Sequence, residues 1–267
     1  MALAGSAKRL FGSNWWSQST RVTCRQTPLC RGLFGKRGTM GPHSKVLGHA
    51  NNDIYEMQTH NIKPEYIEEY KELVPKHMAT LKDKKDVPIR LIGSWTTSIG
   101  PIQDQAVHIW CYDSFEAMAE AKMKLSNDKE WADMKKARSK LLLSRSNQVL
   151  MAFTYWKPQF DHMSDKIFEL RSYTLRPGTL IEWGQAWEAG LRYRGSDEAV
   201  AGWFSQIGQI HQVHHMWAYK DLKDRKETRQ LAWEQPGWDE CVRQTVPLIR
   251  HMESRILVAM TKLDSSK

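Results

Sequence analysis

The sequence predicts an α+β protein of two tandem ferredoxin-like (βαββαβ) units, whose sheets can face one another in a single α+β barrel. Three observations predict it. First, the chain repeats itself. Residues 54–64 (IYEMQTHNIKP) return as residues 167–177 (IFELRSYTLRP), and HIWCY at 108–112 returns as HMWAY at 215–219. SRSNQVLMA at 144–152 and SRILVA at 254–259 close the copies, so a unit of roughly 105–110 residues is duplicated. Second, the repeated blocks alternate apolar and polar residues with the period of a strand. Third, helical periodicity falls between those strands in the order β-α-β-β-α-β. That order places helices on one sheet face and leaves the other to be covered, for which a second copy is available.

In the first copy, residues 54–62 read as a strand, and Pro64 is suited to open a helix. Tyr66, Ile67, Tyr70, Leu73 and Val74 follow at helical spacing until Pro75 breaks or kinks it. Residues 88–99 and 105–112 read as strands about a turn at Gly100 and Pro101. Helices are expected over 113–125 and 128–143, and a closing strand over 149–156. The second copy gives strands at 167–175, 199–207, 212–219 and 255–261, with helices at 179–193 and 221–233. Pro236 and Pro247 leave 237–252 irregular and partly helical. The expected division is a leader and linker over 1–50, then domains at 51–160 and 161–267.

Charge separates the leader from the body. The chain has 39 Lys and Arg against 30 Asp and Glu, yet residues 1–52 contain no acid. They hold eight cations: Lys8, Arg9, Arg21, Arg25, Arg31, Lys36, Arg37 and Lys45. The body is left with 31 cations against 30 acids, which argues against a nucleic-acid footprint on the folded part. The leader has no apolar core of secretory length; Arg-rich, Ser-containing and acid-free, it reads as a mitochondrial transit peptide met by the import machinery. Gly, Pro and His around 41–52 read as a linker, with cleavage in the thirties to fifties. Cys24 and Cys30 lie in the segment expected to be removed, which leaves only Cys111 and Cys241 and no disulfide framework or cysteine zinc site. No run of 18 apolar residues suits a membrane span.

Alternation also nominates a site. Tyr55, Met57, Phe168 and Leu170 are apolar and are expected to pack under helices. Glu56, Gln58, Glu169 and Arg171 then point the other way, as do His108, Trp110, Tyr112, His215, Trp217 and Tyr219. First and third strands are central neighbours in this pattern, so Glu56 is expected to face His108, and Glu169 to face His215. Glu56, His108, Trp110, Glu169, Arg171, His215 and Trp217 thus outline a barrel-interior pocket for a small ligand. Its Glu–His pairs could act as acid and base. The competing and favoured reading is that these groups satisfy one another between the sheets, as buried polar groups must. His211, His214 and His215 do not make a metal site, because 214 and 215 point to opposite faces of a strand. Neither GxGxxG nor GxxxxGK[ST] occurs, so no nucleotide or other cofactor is expected. Lys129, Lys135, Lys136, Arg138 and Lys140 read as a solvated helix face.

Six blocks carry a resemblance: QDQAVHIW at 103–110, LLLSRSNQ at 141–148, LIEWG at 180–184, WFSQIG at 203–208, VHHMWAYKDL at 213–222 and VPLIRHMESRI at 246–256. From residue 53 to about 260 the chain resembles the NIPSNAP family, in the branch with two complete domains and an import segment. The resemblance implies tandem domains of the dimeric α+β barrel type, residence in the mitochondrial matrix and no enzymatic activity. It also implies display on the outer surface when mitochondria depolarise. There such proteins bind autophagy receptors and autophagosomal ubiquitin-like proteins, marking damaged mitochondria for removal. Receptor motifs of the aromatic-x-x-aliphatic kind add a strand to the partner's sheet. YKEL, from Tyr70 to Leu73, follows Glu68 and Glu69 and fits, as do 204–207 and 219–222. Each lies on or beside an expected element and would have to be freed; a segment near 35–52 is an equal candidate. Whether the barrel closes within one chain or in a homo-oligomer stays open. The alternative function is a small-ligand or haem-binding barrel with oxidase-like chemistry, by analogy of fold alone. A scaffold partner of matrix enzymes is a third.

Overall fold

A computed structural model describes residues 42–47, 52–160, 165–195 and 197–260. The expected transit peptide lies almost wholly outside the described residues. Eight strands form a closed barrel in the order β1-β3-β2-β8-β5-β7-β6-β4. They are β1 (Ile54–Ile62), β2 (Arg90–Ile99), β3 (Gln105–Tyr112), β4 (Leu142–Ala152), β5 (Ile167–Leu175), β6 (Ala199–Ile207), β7 (Gln212–Tyr219) and β8 (Ile249–Ala259). Each half keeps its first and third strands at the centre, β1 beside β3 and β5 beside β7. Two antiparallel seams join the halves, β2 with β8 through Trp95↔Ala259, and β4 with β6 through Ala152↔Trp203. The duplicated units therefore close one barrel within one chain. Closure leaves no unpaired sheet edge.

The helices are α1 (Pro42–Leu47), α2 (Ile67–Asp83), α3 (Phe115–Asn127), α4 (Lys129–Lys140), α5 (Leu180–Leu191), α6 (Leu222–Trp233) and α7 (Trp238–Thr245). Side-chain caps fix several starts: Ser114 accepts from Ala117 N–H, Asp128 from Trp131 N–H and Asp221 from Asp224 N–H. Pro75 does not end α2, which runs on to Asp83 with Tyr70, Val74, Met78 and Leu81 buried. Tertiary packing on that face outweighs the lost backbone bond.

Two apolar layers result, and they reverse the expected faces. The barrel interior holds Tyr55, Met57, Val107, Ile109, Phe168, Leu170 and Met216, together with Trp95 and Trp203. Rings from opposite halves meet there, Tyr55 with Trp203 at 5.8 Å and Trp95 with Phe168 at 5.6 Å. Trp110, Tyr112, Trp217 and Tyr219 belong to the outer layer with the helix residues Tyr70, Val74, Trp183 and Trp187. Alternation identifies two faces but not which one is inside. All eight residues of β3 are buried, so apolarity alone could not decide.

The closing strands also start earlier than expected, at Leu142 and Ile249. Their polar first halves pair with β1 and β5, as Gln58↔Asn147 and Arg171↔Ser254 show. By register Leu150 matches Leu257, so VLMA corresponds to ILVA and the shared Ser-Arg dipeptide is not equivalent in the two copies. Part of the expected linker is likewise structured: Val46 in α1 is fully buried, and Thr154 N–H donates to its carbonyl.

Candidate functional site

None of the nominated pocket residues lies in the barrel interior. β1 and β3 pair Glu56 with Trp110 and Gln58 with His108, while β5 and β7 pair Glu169 with Trp217 and Arg171 with His215. The expected Glu56–His108 and Glu169–His215 oppositions are thus each displaced by two residues. The faces were shared as alternation required; the register was not legible without the turns. Glu56, His108 and Trp110 sit under the helices of the first half, and Glu169, Arg171, His215 and Trp217 under those of the second.

In the first half, β3 carries His108 fully buried against α2. Its Nδ1 hydrogen-bonds Ser94 Oγ at 2.7 Å and its Nε2 hydrogen-bonds Tyr70 OH at 2.7 Å. The same hydroxyl meets His60 Nδ1 at 2.6 Å, giving a chain Ser94–His108–Tyr70–His60. Burial, with Arg138 and Arg145 nearby, pushes His60 down to about 3. Burial, His60 and Arg138 hold His108 well below the ordinary imidazole value. Both rings are neutral at neutral pH. Tyr70 is therefore locked inside, and YKEL is not displayed by the folded chain; Phe204 and Tyr219 of the other two motifs are buried as well.

Beside this chain, Glu56 accepts from Tyr112 OH at 2.9 Å, Asn147 Nδ2 at 2.6 Å and Lys122 Nζ at 3.3 Å. It opens on a cavity of about 590 Å³ between the outer sheet face and α3 and α4. Arg138, Trp131, Trp110 and His60 also line it. The expectation of a solvated face on α4 fails at Arg138, which is 6% exposed with its guanidinium over Trp131. Its sevenfold spacing from Trp131, two turns along one helix face, was the available signal.

The second half is saturated instead. Glu169, wholly buried, accepts from Arg225 at 2.8 and 2.9 Å, Arg171 at 2.9 Å and Ser254 at 2.7 Å. Burial alone would raise its pKa, but the Arg225 hydrogen bonds and the charge of Arg171 bring it to about 2. His215 is enclosed by aromatic rings, with Trp187 stacked at 4.8 Å, and Trp183 and Tyr173 each at 5.2 Å. Neither of its ring nitrogens has a hydrogen-bond partner. Burial first, then Arg171, His214 and Arg194, keep this ring uncharged. In the folded chain this imidazole is fully buried among aromatic rings.

The true interior is apolar at one end and polar at the other. His214, which alternation places opposite His215, bonds Ser172 Oγ and Gln148 Oε1, both at 2.8 Å. With Thr59, Asn61, Gln105 and Arg255 they line a mouth of about 390 Å³. The signal missed was the Ser, Asn and Gln run of β4, read as pre-strand sequence. Among the described residues no group of three His, Cys, Asp or Glu could hold a metal ion. No described helix is long and apolar enough to cross a membrane.

Comparison with known proteins agrees with this architecture. The NIPSNAP family profile matches residues 55–157 and 168–262, one match per half. NipSnap homolog 2 of Danio rerio is 47% identical over 221 residues, covering 82% of this chain and 77% of that protein. NipSnap homolog 2 of Homo sapiens is 43% identical over 251 residues, covering 92% and 87%. Among solved structures, a proposed monooxygenase from Lactobacillus acidophilus superposes with a TM-score of 0.56 at 13% identity, over 79% of this chain and 95% of its own. At that identity the likeness concerns the fold alone.

Proposed function

This chain belongs to the NIPSNAP family, and on that premise we propose that it is a non-enzymatic mitochondrial adaptor that marks damaged mitochondria for autophagy. In healthy organelles it is imported; on depolarisation it stays on the outer surface and engages autophagy receptors and autophagosomal ubiquitin-like proteins. The observation that carries the reading is the family match over both halves. The acid-free cationic stretch before Asp53 supports import. The titratable groups support a scaffold rather than a reaction centre, because Glu56, Glu169 and His108 are each engaged by two or more fixed partners.

On this reading the folded chain offers its receptor contact outside YKEL, and YKEL would serve only if freed, since Tyr70 is buried between His60 and His108. The test is protease protection of a carboxy-terminally tagged protein in mitochondria before and after loss of membrane potential. The expected outcome is protection before and digestion after. Protection under both conditions would remove the display role.

A further inference from the structure

The cavity under α3 and α4 is built around a charge with no counterion. Arg138 is 6% exposed, and among the described residues no carboxylate lies within ion-pair distance of its guanidinium. Its charged and titratable surroundings are Arg145, Tyr70 and the neutral rings of His60, His77 and His108. The one acid lining the cavity, Glu56, is already bonded to Tyr112, Asn147 and Lys122. Lys122, Lys135, Arg138 and Arg145 thus face a single carboxylate. A buried cation normally has a partner, because leaving it alone is costly or shifts its ionisation.

The second half shows what the same fold does when its buried charges are paired. Arg171 and Arg225 hold Glu169, and Arg194 holds Glu198 at 2.8 Å. Trp156, Trp183 and Trp187 pack on His215 in its outer layer. In the first half the corresponding layer keeps about 590 Å³, the size of small-molecule sites. Its walls are flat and apolar at Trp110 and Trp131. Trp110 is buried with an indole N–H that has no partner.

We propose that this cavity binds a small aromatic carboxylic acid, its carboxylate on Arg138 and its ring between the Trp110 and Trp131 walls. The guanidinium fork matches a carboxylate, and the burial of Arg138 strengthens the contact. Arg145 and Lys135, exposed at the rim, attract the anion from solvent. The site stands apart from the display role, which needs no ligand.

The experiment is calorimetric titration of the purified full chain with 2-naphthoate, against neutral 2-naphthamide of the same shape. The acid is expected to bind at least about ten-fold more tightly, the usual worth of a charge-assisted bond, and to raise Tm. Arg138→Met should abolish that preference without lowering the ligand-free Tm, since it removes an unpaired buried charge. Lys136→Met, on the exposed side of α4, should keep it. Equal binding of acid and amide, preference retained in Arg138→Met, or no binding of the acid at millimolar concentration would overturn the proposal. The acid–amide comparison needs no variant, so it decides the matter even if Arg138→Met misfolds.

Discussion

At Glu169 a carboxylate with no exposed side-chain surface holds two guanidinium groups and a hydroxyl. Removing its charge leaves Arg171 and Arg225 facing each other unpaired. Glu169→Gln should therefore destabilise the barrel by about 3 kcal/mol, or roughly 6–12 °C in Tm for a body of this size. The pH dependence follows from the sign of the shift. The folded value is about 2 against an ordinary 4.5, so the unfolded chain takes up the proton first and this stabilisation is lost as pH falls from 4.5 towards 2. Thermal melts at pH 7 and pH 3 should show the gap between wild type and Glu169→Gln narrowing at the lower pH. A gap that stays constant would mean that the charge is not what Glu169 contributes. The neutral histidines make both proteins less stable in acid, His60 and His214 from about 6.5 down to about 3, and the comparison cancels that common loss. Sequence alternation placed Glu169 and His215 on one face, because side-chain period is intrinsic to a strand. It could not give their register, which is set by the connections between β5 and β7 rather than by side-chain period.

Among the elements, α1 depends on one missing side chain. A Cβ at Gly184 in α5 would collide with Val46 Cγ1, so the glycine lets the short helix sit directly on the α5 backbone. Alanine would favour an isolated helix by about 1 kcal/mol, yet here overpacking should win and cost about 1–3 kcal/mol. Gly184→Ala is expected to lower Tm, and Val46→Ala in the same chain to recover part of the loss, because the two positions share one contact. Independent, additive effects in that double-mutant cycle would show that α1 is not seated there. The LIEWG block exposed this glycine to view without its purpose: α1 lies in a stretch whose Gly, Pro and His content reads as linker, and its partner is remote in sequence. β1, β3, β5, β6 and β7 were legible to the residue because turn residues such as Asp53, Asp104, Asp113, Gly208 and Asp221 stand at or just beyond their ends, and β1 and β3 recur in the repeat as β5 and β7. β4 and β8 were not, since half of each strand lines a polar mouth and lacks the apolar beat that marks a strand.

The scale of the whole molecule explains why neither copy stands alone. Each half has an inner face of fully buried side chains, Trp95, Val107, Ile109 and Leu150 in one, Phe168, Leu170, Trp203 and Leu257 in the other. Each also ends in two strands whose outer edges are paired only by the other half. Separated, a half would expose an apolar patch and two open edges together, the combination that drives association. Position in the sheet makes β6 the counterpart of β2 and β8 the counterpart of β4. A second copy of the same half therefore offers equivalent seams, β6 to β8 in both directions. Residues 165–260 produced alone should appear by light scattering as a dimer or as aggregate, and adding residues 42–160 should yield a one-to-one complex with a higher Tm. The natural pairing wins because Trp95 and Phe168, or Tyr55 and Trp203, fit rings of unlike shape across the interior. A monodisperse, cooperatively melting monomer of residues 165–260 would show that the shared interior is dispensable, and with it the reason for the duplication.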